Sequence, residues 1–278
     1  MVLTGSFDHA IRLWDPSTGQ NLGLLGGKRY HDSHVNAMVF DHKTGRLYSG
    51  DGEGCIVIWR KAGQGKVSSG EDYVVMRKID KLRELKGRAI VSLNLNPARP
   101  TGRGHILIMA HENTLRVFDL STQRLTEASY SGADNHDSIV RACYSACGKY
   151  VVAGTDQGAV MVWDSKSGLR ISSELDSIQY AAPLNSVCWH PTQHVVAVSS
   201  YGGDFPVLMY SADRDPSRGV ELVEEGGEVE GGERGEGGEK RSEEEERERK
   251  ELLEEKRRAN RERYAELKAK AMQRRGEE

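Results

Sequence analysis

The sequence has few of the residues that would indicate a secreted or membrane-embedded protein. It contains four cysteines in 278 residues, and they form neither a CxxC pair nor a compact disulfide framework, which favours buried free thiols in a reducing compartment. No run approaches the ~18 apolar residues of a membrane span. Met1 leads directly into a strand pattern rather than into a basic and then apolar signal. We therefore expect a soluble, cytoplasmic protein.

Motifs of catalysis and metal binding are missing as well. The Gly-rich run at 50–54 lacks the Lys-Ser/Thr pair of a phosphate loop and precedes a strand, so it predicts a hairpin turn. His31 and His34 are three residues apart, but no further Cys or His cluster completes a four-ligand set by spacing. The sequence predicts no catalytic residue, no metal site, no cofactor and no small-molecule substrate.

Charge and hydrophobicity limit the possibilities further. A net charge of −3 over the whole chain is nearly balanced, so it provides no argument for binding nucleic acid or an acidic membrane surface. Hydrophobic residues make up 37% of the chain, which is near the low end for a fully globular protein. Part of the chain is therefore expected to remain unpacked.

Short aliphatic runs that end in an aromatic residue recur along the chain. Successive closing aromatics are 45, 59, 45 and 47 positions apart, and ~40–45 residues with four short strands is the period of a propeller blade. Three of the runs end in an aromatic residue followed by aspartate. This ending resembles the one that gives the WD-repeat family its name. We predict an all-β, WD-repeat β-propeller segment over residues 1–213, with about four full blades and part of a fifth. The closing aromatics are Trp14, Trp59, Phe118, Trp163 and Tyr210.

The first unit is short, because Val2 to Gly5 already matches the second strand of a blade. This predicts that the chain begins inside a larger propeller, since most WD-repeat propellers close with more blades and closure removes exposed edges. A fragment, a truncated gene model or assembly with another chain would each explain this.

A turn residue stands six positions before each closing aromatic, where two antiparallel strands reverse. In WD-repeat families an aspartate at this place ties a histidine into a buried hydrogen-bond network. His31 and His136 match that histidine, since each lies four residues before the first valine of a strand. The resemblance therefore implies networks at these two positions. The turn residues are Asp8, Glu53, Glu112, Gln157 and Asp204.

Three segments depart from the repeat. Residues 61–88 are too long for an ordinary blade connection, and we predict a surface loop followed by an outer strand. Residues 214–241, rich in Glu and Gly, predict a disordered linker. Residues 242–275 predict a single charged helix with i,i+4 ion pairs, since apolar residues are too irregular to establish a coiled coil. The basic end of this helix could contact tubulin tails, nucleic acid or acidic lipid, but a solvated face is the favoured interpretation.

Three blocks within residues 2–212 resemble the jouberin family in particular. They are SGDGEGCIVIW with its non-WD ending, the insertion directly after it, and the final GGDFPVLMY. The resemblance implies a scaffold of the ciliary transition zone or basal body, associated with the cytoskeleton, that acts in cilium biogenesis through protein partners. No catalytic residue is implied. Which partners bind, and on which propeller face, does not follow from the resemblance.

Two alternatives belong to other classes. A generic WD-repeat adaptor of a ubiquitin-ligase, chromatin or nucleic-acid complex is supported only by the basic end of the tail, so we do not expect nucleic acid as the main partner. An enzyme with a site built from distant propeller loops is the third alternative.

Overall fold

The computed structural model describes residues 1–26, 30–63, 69–98, 104–133, 135–136, 138–180, 182–201, 207–211 and 221–223. Within them the chain forms strands and two short 3-10 turns, Gly70–Asp72 and Glu174–Ser177. The all-β prediction is confirmed for this part of the chain. The strands are β1 (Val2–Gly5), β2 (Ala10–Trp14), β3 (Asn21–Gly26), β4 (Val35–Asp41), β5 (Arg46–Asp51), β6 (Ile56–Lys61), β7 (Tyr73–Ile79), β8 (Ile90–Leu95), β9 (His105–Ala110), β10 (Thr114–Asp119), β11 (Arg124–Leu125), β12 (Ala142–Tyr144), β13 (Tyr150–Gly154), β14 (Val160–Asp164), β15 (Arg170–Ser172), β16 (Ser186–Trp189), β17 (Val195–Ser199), β18 (Leu208–Ser211) and β19 (Glu221–Val223).

The strands assemble into five antiparallel sheets. The first contains β1–β3, the second β4–β7, the third β8–β11, the fourth β12–β15 with β19 added beside β15, and the fifth β16–β18. Within each sheet consecutive strands pair with their neighbours, as in WD-repeat blades. The first sheet contains three strands, with β2 paired to β1 on one side and to β3 on the other. About four full blades were expected, whereas the described residues form three sheets of four or more strands and two of three.

Hydrophobic residues form one core cluster at each contact between successive sheets. For example, Leu13 and Trp59 belong to the cluster between the first and second sheets, and Phe118 to the one between the second and third. The second strands of the three internal sheets are covered on both faces, and five of the six residues of β9 are buried. Burying a large apolar side chain contributes roughly 1.5–3 kcal/mol. Each sheet is therefore stabilised mainly by its immediate neighbours.

Small residues allow adjacent sheets to approach closely. A Cβ atom added to Gly50 would lie 2.7 Å from Cγ2 of Ile90 in the next sheet. Gly154 is similarly close to Leu184, a fully buried residue that leads into the fifth sheet. Both glycines lie in the second strand of their sheets. A larger side chain at either position would force neighbouring sheets apart.

The insertion at 61–88 has more structure than a surface loop. Its second half supplies the outer strand β7, as predicted. The 3-10 turn before it packs on the first sheet, where a Cβ atom on Gly70 would lie 2.6 Å from the backbone nitrogen of Leu24. Residues 64–68 lie outside the described residues. The insertion thus connects the outer edges of the first two sheets.

The C-terminal region is described only at β19. This strand lies inside the segment predicted to be a disordered linker, and it pairs antiparallel with β15, with Leu222 opposite Ile171. The rest of residues 214–241 and the predicted helix at 242–275 lie outside the described residues. In the described part of the chain, no helix has the length and hydropathy needed to cross a bilayer.

Candidate functional site: a buried histidine network and an exposed groove

A buried hydrogen-bond network joins the strands of the second sheet. Nδ1 of His31 lies 3.0 Å from Oδ2 of Asp51, and Nε2 lies 2.7 Å from Oγ of Ser49. The indole Nε1 of Trp59 donates to the same hydroxyl at 2.8 Å. The side chains of His31, Ser49 and Asp51 are shielded from solvent. One network therefore connects the loop before β4 to strands β5 and β6.

The electrostatics of Asp51 stabilise its charged form. Burial opposes ionisation, but hydrogen bonds from His31 and from the backbone amides of Cys55 and Glu53 outweigh it, so the pKa of Asp51 is lowered. Those amides donate to Oδ1 at 2.9 Å and 3.0 Å. If Nδ1–H of His31 donates to the carboxylate, Nε2 accepts the hydroxyl hydrogen of Ser49. This tautomer satisfies both ring nitrogens.

The aspartate of the network differs from the sequence prediction. The turn residue six positions before Trp59 is Glu53, but the histidine binds Asp51, two residues earlier. The reason is the geometry of the turn, in which Gly54 has a positive φ of 83° and Asp51 accepts the backbone amides. Ser49 was also missed, although a hydroxyl ten residues before the closing tryptophan was visible in the sequence.

Among the residues that the structure describes, His31, Asp51 and Cys55 form the group of side chains that most resembles a metal site. Their ligand atoms lie within 4.8 Å of one another, and all three residues are buried. However, both nitrogens of His31 have hydrogen-bond partners, and burial raises the pKa of the Cys55 thiol to about 12. A protonated thiol is a poor metal ligand, since the thiolate is the binding form. Hydrogen bonds thus occupy the side chains of His31 and Asp51, and burial keeps the thiol of Cys55 protonated.

The closing aromatics of the other sheets have different partners. Nε1 of Trp14 donates to Oγ1 of Thr4 at 2.8 Å, at the same ten-residue spacing as in the second sheet. Nε1 of Trp163 instead donates to the carbonyl of Ser131 at 2.8 Å, because alanine stands ten positions before it. The two remaining closing aromatics are Phe118, which is buried in the core, and Tyr210, which is partly buried.

His136 does not occupy the interior position of His31. Its side chain is exposed, and Nε2 lies 2.9 Å from Nδ2 of Asn113 in the third sheet. The neighbouring Asn135 is buried instead, and it donates to the carbonyl of Ala110 at 3.1 Å. Asp156 accepts the backbone amide of His136 at 2.6 Å. The implied histidine network is therefore absent at this position.

Of the two aspartates predicted at turns, Asp8 and Asp204, the structure describes only Asp8. Asp8 is exposed, pairs with Arg12 and accepts the backbone amide of Ala10 at 3.2 Å, so it caps its hairpin. The hydrogen bond from Arg12 lowers the pKa of Asp8 to about 2. Asp204 lies outside the described residues.

The cysteines are all free, and two of them are buried as expected. Burial raises the pKa of Cys143 to about 12, as it does for Cys55. Cys147 is partly buried and Cys188 is exposed. The two buried thiols are thus protonated core residues rather than nucleophiles.

An exposed groove opens between the fourth and fifth sheets, and we call it the 4–5 groove. It lies where β12 and β16 begin and β17 ends, and it has a volume of about 630 Å³. Its lining combines one cationic side chain with apolar and hydroxyl groups. The residues that define it here are Ser138, Ile139, Arg141, Pro183, Ser199 and Tyr201.

Comparison with known proteins agrees with the repeat and with the arrangement of sheets. Residues 128–164 match the family described as WD domain, G-beta repeat. Jouberin of Mus musculus is 28% identical over 77% of this chain, and jouberin of Rattus norvegicus is 27% identical over the same share. The chain spans about 20% of the length of both relatives.

A solved structure supports the same fold. The crystal structure of the computationally designed Ika8 protein aligns with 76% of this chain and 55% of its own, with a TM-score of 0.51 and 19% sequence identity. Identity at this level bears on the fold alone. The five antiparallel sheets, the G-beta repeat matched at 128–164 and the two similar jouberins agree with one another: the chain contains a WD repeat and is similar to jouberin over 77% of its length.

Proposed function

We propose that this chain is a non-catalytic, jouberin-like scaffold at the base of the cilium, where it binds other proteins. The observation that carries the proposal is the similarity to two jouberins over 77% of the chain. Fold alone would not suffice, because WD-repeat propellers serve many functions. The partners are proteins of the transition zone or basal body, and the chain acts in the cytoplasm.

The chemistry of the described residues is compatible with a scaffold. In the second sheet, His31 bonds to Asp51 and Ser49, and Asp51 also accepts a backbone amide, so this network holds strands together. Large apolar side chains are exposed at the loop ends of the sheets, with Phe7 at 82% and Tyr201 at 74% exposure. Exposed apolar groups on a rigid framework are suited to protein contacts.

The proposal keeps the sequence-based prediction for the C-terminal region, namely a linker at 214–241 and a charged helix at 242–275. This prediction rests on the amino-acid composition alone.

The test is localisation of a tagged full chain in a ciliated cell of its own source, beside basal-body and axoneme markers. A ring at the ciliary base and impaired ciliation after deletion are the expected results. Normal ciliation together with no signal at the basal body would contradict the ciliary role.

The second candidate is a WD-repeat adaptor of a ubiquitin-ligase, chromatin or nucleic-acid complex. The sequence from Lys256 to Arg275 supports it, with nine basic residues against Glu262 and Glu266. Diffuse or nuclear localisation would favour this candidate. So would a salt-dependent affinity for nucleic acid that is lost when Lys256 to Arg275 is deleted.

A further inference from the structure

The 4–5 groove is built on a well-packed floor. Leu184 is fully buried beneath it, and Gly154 of β13 provides the space for this side chain. The backbone amide of Tyr201 donates to the carbonyl of Pro183 at 3.1 Å, and Oγ of Ser200 donates to the same carbonyl at 3.0 Å. These bonds fix the backbone on which Tyr201 is displayed.

Two large apolar side chains flank the groove and remain exposed. Ile139, just before β12, is 62% exposed, and Tyr201, just after β17, is 74% exposed. They belong to adjacent sheets, so packing of the two sheets determines their separation. An aromatic side chain on a fixed backbone loses little conformational freedom when a partner binds, which makes it an effective anchor.

Arg141 gives the described part of the groove a positive charge. It is exposed, the described lining residues include no acidic side chain, and no ion pair among the described residues involves it. Ser138 and Ser199 add hydroxyl groups beside it. A guanidinium binds a carboxylate through two parallel hydrogen bonds, so it selects for an acidic group.

We propose that the 4–5 groove binds an extended peptide segment of a partner protein that carries an acidic side chain next to an aromatic or aliphatic one. The carboxylate pairs with Arg141, and the apolar side chain inserts between Ile139 and Tyr201. The groove hydroxyls bond to the peptide backbone. This inference rests on the proposed scaffold function and specifies the chemistry of one partner site.

A partner protein fits this groove better than the acidic segment of the same chain. Residues 224–239 consist of Glu and Gly with one Arg and the single apolar side chain of Val229. That segment could supply carboxylates but has almost nothing to place between the two apolar flanks. Residues 224–239 therefore match one of the two chemical features of the groove, whereas a partner peptide that combines the two kinds of side chain matches both.

The experiment selects peptides from a random phage-displayed library against the full chain and measures their affinities by fluorescence anisotropy. Test variants are Arg141→Glu and Tyr201→Ser. Matched controls are Arg124→Glu and Met76→Ser, at exposed positions on outer strands of other sheets. Circular dichroism and unfolding curves establish that each variant is folded.

The expected result is enrichment of peptides with Asp or Glu beside an apolar residue. Their affinity should fall roughly tenfold or more in each test variant, as for a central contact, and remain within about twofold in the controls. The proposal would be overturned if no peptide is enriched or if the enriched peptides lack this pattern. It would also be overturned if both test variants bind the peptides with unchanged affinity. Binding that appears only after the glutamates of 224–239 are changed to glutamine would also overturn it, because the chain's own tail would then be the occupant.

Failure of this inference can be distinguished from failure of the ciliary role. Arg141→Glu protein that still forms a ring at the ciliary base, with no peptide selected by the wild type, contradicts the groove and not the scaffold. Wild-type protein that selects the expected peptides but is absent from the ciliary base contradicts the ciliary role and not the groove.

Discussion

At the scale of single residues, Ser49 has the central place in the buried network, because its hydroxyl contacts both His31 and Trp59. We expect Ser49→Ala to lower the free energy of unfolding by about 1–3 kcal/mol, since it leaves buried polar groups without a partner. Thr4→Val is the matched control. It removes the equivalent contact to Trp14 at an exposed position and should cost less than about 1 kcal/mol. Chemical denaturation of both variants measures the difference, and equal effects would contradict a special role for the buried hydroxyl.

Asp51 gives the network a pH dependence. Its pKa in the folded chain is below the ordinary value of 3.8, so its contribution to stability is present above that value and is lost as the pH falls through the folded pKa. We expect Asp51→Asn to be less stable at neutral pH and to lose less stability than the wild type during acidification below about pH 4.

Asp8→Asn is the control for the acid titration. The pKa of Asp8 is also lowered, to about 2, but the side chain is exposed and its pairing with Arg12 is screened by water. Its acid unfolding curve should therefore remain close to that of the wild type. Acid unfolding followed by circular dichroism provides the measurement, and an unchanged curve for Asp51→Asn would contradict the assignment.

At the scale of elements, the turn between β5 and β6 depends on a glycine. Gly54 has a φ of 83°, and a Cβ atom there would overlap the carbonyl oxygen of Leu85. We expect Gly54→Ala to cost about 3 kcal/mol or more, from backbone strain together with displaced packing. Gly19→Ala has a similar φ of 70° with open space around it, so it should cost only about 1–2 kcal/mol. Thermal unfolding of the two variants measures their stability. Equal losses of stability would show that packing against Leu85 is unimportant.

Element positions were predictable because the repeat fixes them locally. The run that ends at Trp14 forms the middle strand of the first sheet, and the runs that end at Trp59 and Trp163 form the third strands of theirs, as their alternation and spacing indicated. The repeat register indicated Glu53 as the partner of the histidine, but the partner is Asp51. This was not predictable from the register, because it depends on which carboxylate the turn directs inward. The exposure of His136 was not predictable either, since the buried Asn135 fills the interior beside it.

At the scale of the whole molecule, the outer faces of the first and fifth sheets expose apolar side chains. Val2 and Leu24 are 46% and 53% exposed on the first sheet, and Met209 is 75% exposed on the fifth. Corresponding faces of the internal sheets are covered by a neighbouring sheet. We expect the isolated chain to self-associate through these faces.

Substitution of these apolar residues by lysine tests this expectation. The double variant Leu24→Lys, Met209→Lys should shift the chain towards monomer in size-exclusion chromatography with light scattering, because a buried charge opposes contact between the faces. Met76→Lys on the rim is the control, at 51% exposure, and should leave association unchanged. A monodisperse wild-type monomer would contradict the expectation.

The amino-acid sequence by itself determined the all-β class, the blade period and the outer strand of the insertion, because alternation, turn residues and spacing act over a few neighbouring positions. The tertiary structure decided which polar residues form the network and which cationic side chain, among the described residues, lines the 4–5 groove. Asp51, Ser49 and Arg141 acquire these roles through contacts made by packing of strands and sheets. Such contacts join residues far apart in the chain, so no local pattern specifies them.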